Sequence, residues 1–215
     1  MSSGPLHVTA SSLPPPEVTV PECNCNSSHI IADRHGYSGG LFSLRGGYCV
    51  CMAVTVERAV LEQAEDIVQM HWDAEDWILA RELDAPARGE VSLADVREQI
   101  EFGEWRVALF AGIVVGALRV LRSDPDVWIE DDIPAAYVAR VMTDRRHASA
   151  GLGAQLLRWV DEHARSEDAS VVRLECVETN ARLRDYYEEQ GFFLVGRRDF
   201  DVEWPSVVLM EKSLH

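Results

Sequence analysis

A helix opened by Gly151-Leu152-Gly153, an apolar strand from Val171 to Val177 and a second helix capped by Asn180 follow one another directly in this chain. Ahead of them Ala136 to Thr143 also reads as a strand. A strand, a helix and another strand in this order require a parallel, right-handed crossover. The glycine-opened helix start exposes unpaired backbone N–H groups at the positive end of a helix dipole, which is a place for an anion. Gly151 and Gly153 lack Cβ atoms, so the anion could approach closely, with Arg145 and Arg146 supplying charge. A GxG triplet alone is weak, and a tightly packed helix start with two solvated arginines is the alternative.

The remaining pattern is mixed. Ala53 to Val60 alternates as a strand, and Leu61 to about Leu83 reads as one long helix or two broken near His71. A loop with Pro86 and Gly89 follows, and Ser92 caps a short helix carrying Val96 and Ile100, with Asp95 in its first turn. Arg106 to Phe110 and Ile113 to Leu121 form a hairpin about Ala111-Gly112, and the acidic stretch Ser123 to Pro134 is a loop. Gly151 to about Ala164 is a helix with Leu152, Leu156, Trp159, Val160 and Ala164 near one face. In the next helix Leu183, Tyr186 and Tyr187 share a face, and Gly191 ends it as a left-handed residue. Strands at about Phe193 to Arg198 and Val207 to Lys212 complete the chain. Arg173 and Glu175 interrupt an otherwise apolar strand, and no internal repeat is present.

Residues 1–52 hold five of the nine prolines and no sustained apolar period, so they read as a disordered tail before one domain over 53–215. The tail is either translation from a start upstream of Met52 or an extension of unknown purpose. Its Cys23, Cys25, Cys49 and Cys51 form CxC pairs, which lack the usual spacing of structural zinc, and no metal is expected. A net charge of -16, with Lys212 the only lysine, disfavours nucleic acid and anionic membranes and favours cationic partners, although such acidity also serves solubility. No run is long enough to span a membrane and no basic residue precedes Arg34, so a cytoplasmic location is expected.

The segments Ala148-Ser149-Ala150-Gly151-Leu152-Gly153 and Asn180 with Tyr187-Glu188-Glu189-Gln190-Gly191-Phe192 resemble the phosphate loop Q/R-x-x-G-x-G/A and the late N…YExxGF helix of the GNAT N-acetyltransferase family. The resemblance covers roughly Ala53 to His215. It implies an α/β (α+β) fold with a mixed, mostly antiparallel sheet flanked by helices. It also implies an enzyme that moves an acetyl group from acetyl-CoA to a primary amine, of small-molecule or peptide type. The pantetheine would pair along Val141, Met142 and Thr143. The pyrophosphate would rest on amides of Ala148, Ser149, Ala150, Gly151, Leu152, Gly153 and Ala154, with Asn180 also at the cofactor. Ala148 stands where the family has Arg or Gln, and Arg146 or His147 is placed to compensate.

By the same resemblance a main-chain amide near Met142 polarises the thioester carbonyl and Tyr187 assists the leaving thiolate. A phenol of pKa about 10 giving its proton to a thiolate whose acid has pKa about 8.5 is uphill by roughly 2 kcal/mol, so hydrogen bonding is its larger contribution. An amine of pKa near 10.4 must also lose a proton. Glu130, with Asp131, Asp132 and Trp128 beside it, is the carboxylate expected to serve as base and to line the acceptor site; a solvated acidic loop is the alternative. His71 and Trp72 are further acceptor-side candidates, whereas Cys176 reads as packing. A longer-chain acyl-CoA, a non-catalytic acyl-CoA sensor and a homodimer are all compatible with these residues.

Overall fold

A computed structural model describes residues 54–81, 91–129, 132–147, 151–200 and 205–215. The tail and its cysteines, Leu83, Glu130, Asp131 and Ala148 to Ala150 lie outside these residues. The strands are β1 (Thr55–Arg58), β2 (Trp105–Phe110), β3 (Ile113–Leu121), β4 (Ala135–Thr143), β5 (Val171–Val177), β6 (Phe193–Arg198) and β7 (Val207–Ser213). The helices are α1 (Ala64–Leu79), α2 (Leu93–Glu101), α3 (Leu152–Ser166) and α4 (Ala181–Glu189). The described strands make one seven-stranded sheet in the order β1-β2-β3-β4-β5-β7-β6. Every pairing is antiparallel except β4 with β5, which is the crossover expected from the sequence.

Local chemistry accounts for most boundaries. Ala111 and Gly112 both have positive φ, 51° and 79°, which suits a two-residue hairpin between right-twisted strands. Ser92 Oγ accepts from Asp95 N at 3.1 Å while Asp95 Oδ2 accepts from Ser92 N at 3.0 Å, a reciprocal cap on α2. Helix α1 runs unbroken through His71 and stops at Leu79, earlier than the apolar pattern suggested, with Ala80 as its C-cap.

Side-chain alternation divides the core between the two faces of the sheet. Val107 packs with Ile67, Val96 and Ile100 of α1 and α2, whereas neighbouring Ala108 belongs with Leu156, Leu157 and Val160 of α3. Truncating a fully buried residue such as Leu156 would cost about 2–5 kcal/mol. Helix α4 lies on the α3 side, where Tyr187 meets Cys176 and Phe192 in the same cluster. The single lysine, Lys212, ties β7 to α3 through a 2.6 Å ion pair with the buried Asp161. Strand β5 therefore shows Val172, Leu174 and Cys176 to the α3 core and turns Arg173 and Glu175 to the opposite face.

Candidate active site

Strands β4 and β5 pair only from Ala135–Tyr137 with Val171–Arg173 and then part. The cause lies in β4. Against β3 its register slips between Ala117 and Arg119, so one extra residue stands at Arg140–Val141, and Arg140 takes φ 53°, an uncommon conformation for a non-glycine residue. A bulge bends the strand that carries it. Beyond Tyr137 the β4 edge no longer pairs with β5, so an extended chain could add there as a further strand. Val141, Met142 and Thr143 occupy this edge; Met142 itself is buried against the α1 side.

The edge leads to the start of α3. Gly151 is the N-cap with φ 71°, and nothing stands within 4 Å of where its Cβ would be. The amides of Leu152, Gly153 and Ala154 open the helix, while the Leu152 side chain turns into the core. A Cβ on Gly153 would come 2.6 Å from the Tyr186 hydroxyl, so that phenol lies over the first turn of α3. Tyr186 was visible in the sequence only as an apolar-face residue. The Arg146 guanidinium, expected beside an anion, is paired with Asp144 at 2.6 to 3.0 Å. Arg145 stacks on Trp77, 3.8 Å from the ring centre. Asn180 Oδ1 accepts from Leu183 N at 3.1 Å, so the cap seen in the sequence is present.

Tyr187 stands on α4 beside the far end of the opening. Its ring meets Phe192 edge-on at 5.8 Å and Tyr186 at 5.6 Å, and burial pushes its phenol well above the usual value, with further contributions from Cys176, Tyr186 and Glu175. Such a phenol stays protonated through the physiological range. Cys176 is buried and its thiol is pushed up to about 11, mainly by burial, which makes it an inert packing group as expected.

On the other face of β5 lies a cluster from which the sequence singles out His71 and Trp128 but not Glu175 or Asp124. The Glu175 carboxyl is pushed up to about 7, first by burial and then by Asp124, while Arg140 draws it down. Asp124 is likewise raised, by burial and by Asp126. The only sequence-level sign of Glu175 was a charge inside an apolar strand. His71 Nε2 is 3.1 Å from Glu75 and 3.5 Å from Arg140 Nη1, and burial followed by Arg140 lowers its imidazole to about 4, so it is neutral at pH 7. Trp128 is buried, with its ring edge-on to Tyr137 at 5.9 Å and the Arg173 guanidinium 5.0 Å from its ring centre. Arg173 also pairs with Glu211 at 2.9 Å and donates to the Tyr137 hydroxyl at 3.1 Å. Trp128 thus packs on the same face of β5 as Arg173. Asp132 is exposed just before β4 and has no polar contact with these groups.

The acetyltransferase (GNAT) family profile matches residues 65–192. YesJ of Bacillus subtilis (strain 168), an uncharacterized N-acetyltransferase, is 26% identical over 148 residues, spanning 64% of this chain and 81% of YesJ. An acetyltransferase of the GNAT family from Listeria monocytogenes superposes with a TM-score of 0.61 at 21% identity, over 75% of this chain and 95% of its own. YncA of Salmonella typhimurium, a putative acetyltransferase solved with its cofactor acetyl-CoA, superposes with a TM-score of 0.58 at 16% identity, over 75% and 94%. No helix among the described residues is long and apolar enough to cross a membrane. The profile match takes in more than half of the chain, including the parted strands, the α3 start and all of α4, and this protein belongs to the GNAT acetyltransferase family.

Proposed function

We propose that the protein transfers an acetyl group from acetyl-CoA to a primary amine, with the two substrates meeting in the opening between β4 and β5. The observation that carries this reading is the pair Tyr187 and Glu175, both raised by burial, which keeps the phenol protonated and leaves the carboxyl partly ionised at neutral pH. The pantetheine arm would hydrogen-bond along Val141, Met142 and Thr143, and the pyrophosphate would sit on the Gly151 to Ala154 amides. YncA's complex with acetyl-CoA supports the choice of co-substrate.

In this reading Glu175 is the general base. A carboxyl of pKa about 7 is about half ionised at neutral pH and takes a proton more readily than an ordinary carboxylate would. The neutral amine attacks the thioester carbonyl, the tetrahedral intermediate collapses, and the C–S bond breaks. Glu175 holds the amine proton, the thiolate carries the electron pair, and the Tyr187 hydroxyl hydrogen-bonds to the departing sulfur. Its raised pKa makes complete proton transfer more uphill than for a free phenol, so stabilisation by hydrogen bonding is its role.

A cationic acceptor fits the acidic surroundings, since Asp124 and Glu175 face the acceptor side and the chain carries a net charge of -16. Release of CoA from acetyl-CoA, followed across a panel of amines of graded charge, tests the proposal. Turnover is expected to favour amines bearing a second positive group and to weaken with added salt. Absence of CoA release with every amine would remove the enzymatic reading.

A further inference from the structure

A sizeable cavity among the described residues lies away from the opening between β4 and β5. It is an open space of about 740 Å³ at the paired end of those strands, lined by Arg58, Arg106, Arg122 and His163 together with Glu104 and Glu167. None of Arg140, Glu175 and Tyr187 borders it. About 18 Å of helix separates His163 from the Gly151 end of α3.

Its charges are unevenly matched. Glu104 is paired with Arg119 at 2.6 Å, and Glu167 reaches Arg122 at 3.2 Å across exposed side chains. Among the described residues, the hydrogen bonds of Arg58 and Arg106 go to carbonyls, and the Arg106 guanidinium also lies 5.7 Å from the centre of the Trp159 ring. Arg106 Nη1 donates to the carbonyls of Gly103 at 2.7 Å and Trp105 at 3.1 Å, and Arg58 Nη2 donates to that of Glu101 at 3.4 Å. Gly103 makes this arrangement possible. It has φ 77°, and a Cβ there would lie 2.5 Å from Arg58 Cζ, so only bare backbone lets the guanidinium settle on the turn after α2.

Carbonyl acceptors position two guanidinium groups without neutralising them, and each feels the other. Burial and then Arg58 hold Arg106 below its ordinary value, and burial and then Arg106 do the same to His163, with Glu167 offsetting part of each shift. His163 is fixed in the wall by stacking on Trp159, with ring centres 4.7 Å apart. A concentration of positive charge in a half-buried hollow of a strongly acidic protein is unfavourable until an anion enters.

We propose that this cavity binds a small dianion of the phosphate or phosphate-monoester class, at a site separate from the cofactor opening. The Arg58 and Arg106 forks supply N–H donors matched to phosphate oxygens, and Phe102, Ile133 and Pro134 offer apolar surface to an organic group. The bound anion offsets the repulsion between the arginines and raises the His163 pKa.

The test is NMR titration of His163 in the full-length protein, its signal identified by His163→Gln, at fixed ionic strength with saturating CoA so that the α3 start is occupied. Inorganic phosphate and glycerol 3-phosphate are the probes, with chloride as the control. The expected result is a saturable upward shift of the His163 pKa with phosphate, with tighter binding of the ester if an organic phosphate is the ligand and equal binding if free phosphate is. Arg58→Gln with Arg106→Gln should weaken that binding at least tenfold without lowering Tm in the absence of ligand. Arg58→Gln alone, a change at an exposed side chain, should weaken it in the same direction. No saturable shift at millimolar phosphate, an equal response to chloride, or unchanged binding in the variants would overturn the proposal.

Discussion

The two sides of the opening between β4 and β5 are built from different materials. On the α3 side the recognition surface is main chain, comprising the β4 edge and the amides after Gly151, and the side chains there are small or turned into the core. On the α1 side it is a set of part-buried ionisable groups, Glu175, Asp124, His71 and Arg140, whose protonation depends on one another. Main-chain donors have no pKa in the working range and tolerate many side chains, provided glycine keeps the approach open. Buried carboxylates respond to pH, to salt and to every charge nearby. In the proposed mechanism the first surface holds the co-substrate and the second receives the amine.

The strongest way to break this contrast is Glu175→Gln. In the proposed mechanism it lowers kcat/KM at pH 7 by about 10²–10⁴-fold and removes the rise in rate as pH passes about 7, which a pH–rate profile would show. Loss of fold would be distinguished by its stability trend. The folded carboxyl keeps its proton to about 7 while the unfolded one loses it near 4.5, so ionisation costs the wild type stability as pH rises through that window. The Gln variant is therefore expected to gain on the wild type from pH 4.5 to 7, by at most about 3 kcal/mol. Denaturant unfolding at several pH values measures this.

Tyr187→Phe keeps the contacts with Phe192 and Tyr186 and removes only the hydroxyl. It should lower kcat by roughly ten- to a thousandfold and leave acetyl-CoA affinity unchanged, a separation that calorimetry beside steady-state kinetics can verify. Unchanged turnover would return Tyr187 to a packing role. Gly151→Val addresses the main-chain surface. The left-handed φ of 71° costs a side chain about 1–2 kcal/mol, and the Cβ intrudes on the anion's approach, so acetyl-CoA binding should weaken at least tenfold.

Asp124→Asn sharpens the other side. Because Asp124 raises the Glu175 pKa, removing its charge should move the rising, acidic-side limb of the pH–rate profile to lower pH, whereas a shift to higher pH would contradict the assigned coupling. The smallest effect is expected from deleting residues 1–51. Their proline content and lack of apolar period predict a Tm within a few degrees of the full chain and unaltered acetyl-CoA binding, readable by calorimetry.

Much of this architecture is written in local sequence. The Ala111-Gly112 hairpin, the Ser92 and Asn180 caps and the Gly191 stop each depend on a few adjacent residues, and so each was legible without a partner. The same holds for the β4-α3-β5 crossover, which follows from element order. Helix α1 was less legible at its end, since Leu79 closes it while apolar and polar residues continue in a helix-compatible pattern.

The candidate site divides along the same line. Gly151, Gly153, Asn180 and Tyr187 stood out because their roles are tied to spacing along the chain. Glu175, Tyr186 and the Arg58–Arg106 pair did not. A carboxyl acquires a pKa near 7 only when a fold removes its water and sets Asp124 and Arg140 around it. The Tyr186 hydroxyl reaches α3 only because α4 packs beside it, and Arg58 meets Arg106 only because β1 pairs with β2. What the sequence by itself determined is where the chain turns, caps and offers bare backbone, since those depend on steric and hydrogen-bonding rules acting over a few residues. What only the tertiary structure decided is which charges share a desolvated space, because that energy depends on through-space distance and burial.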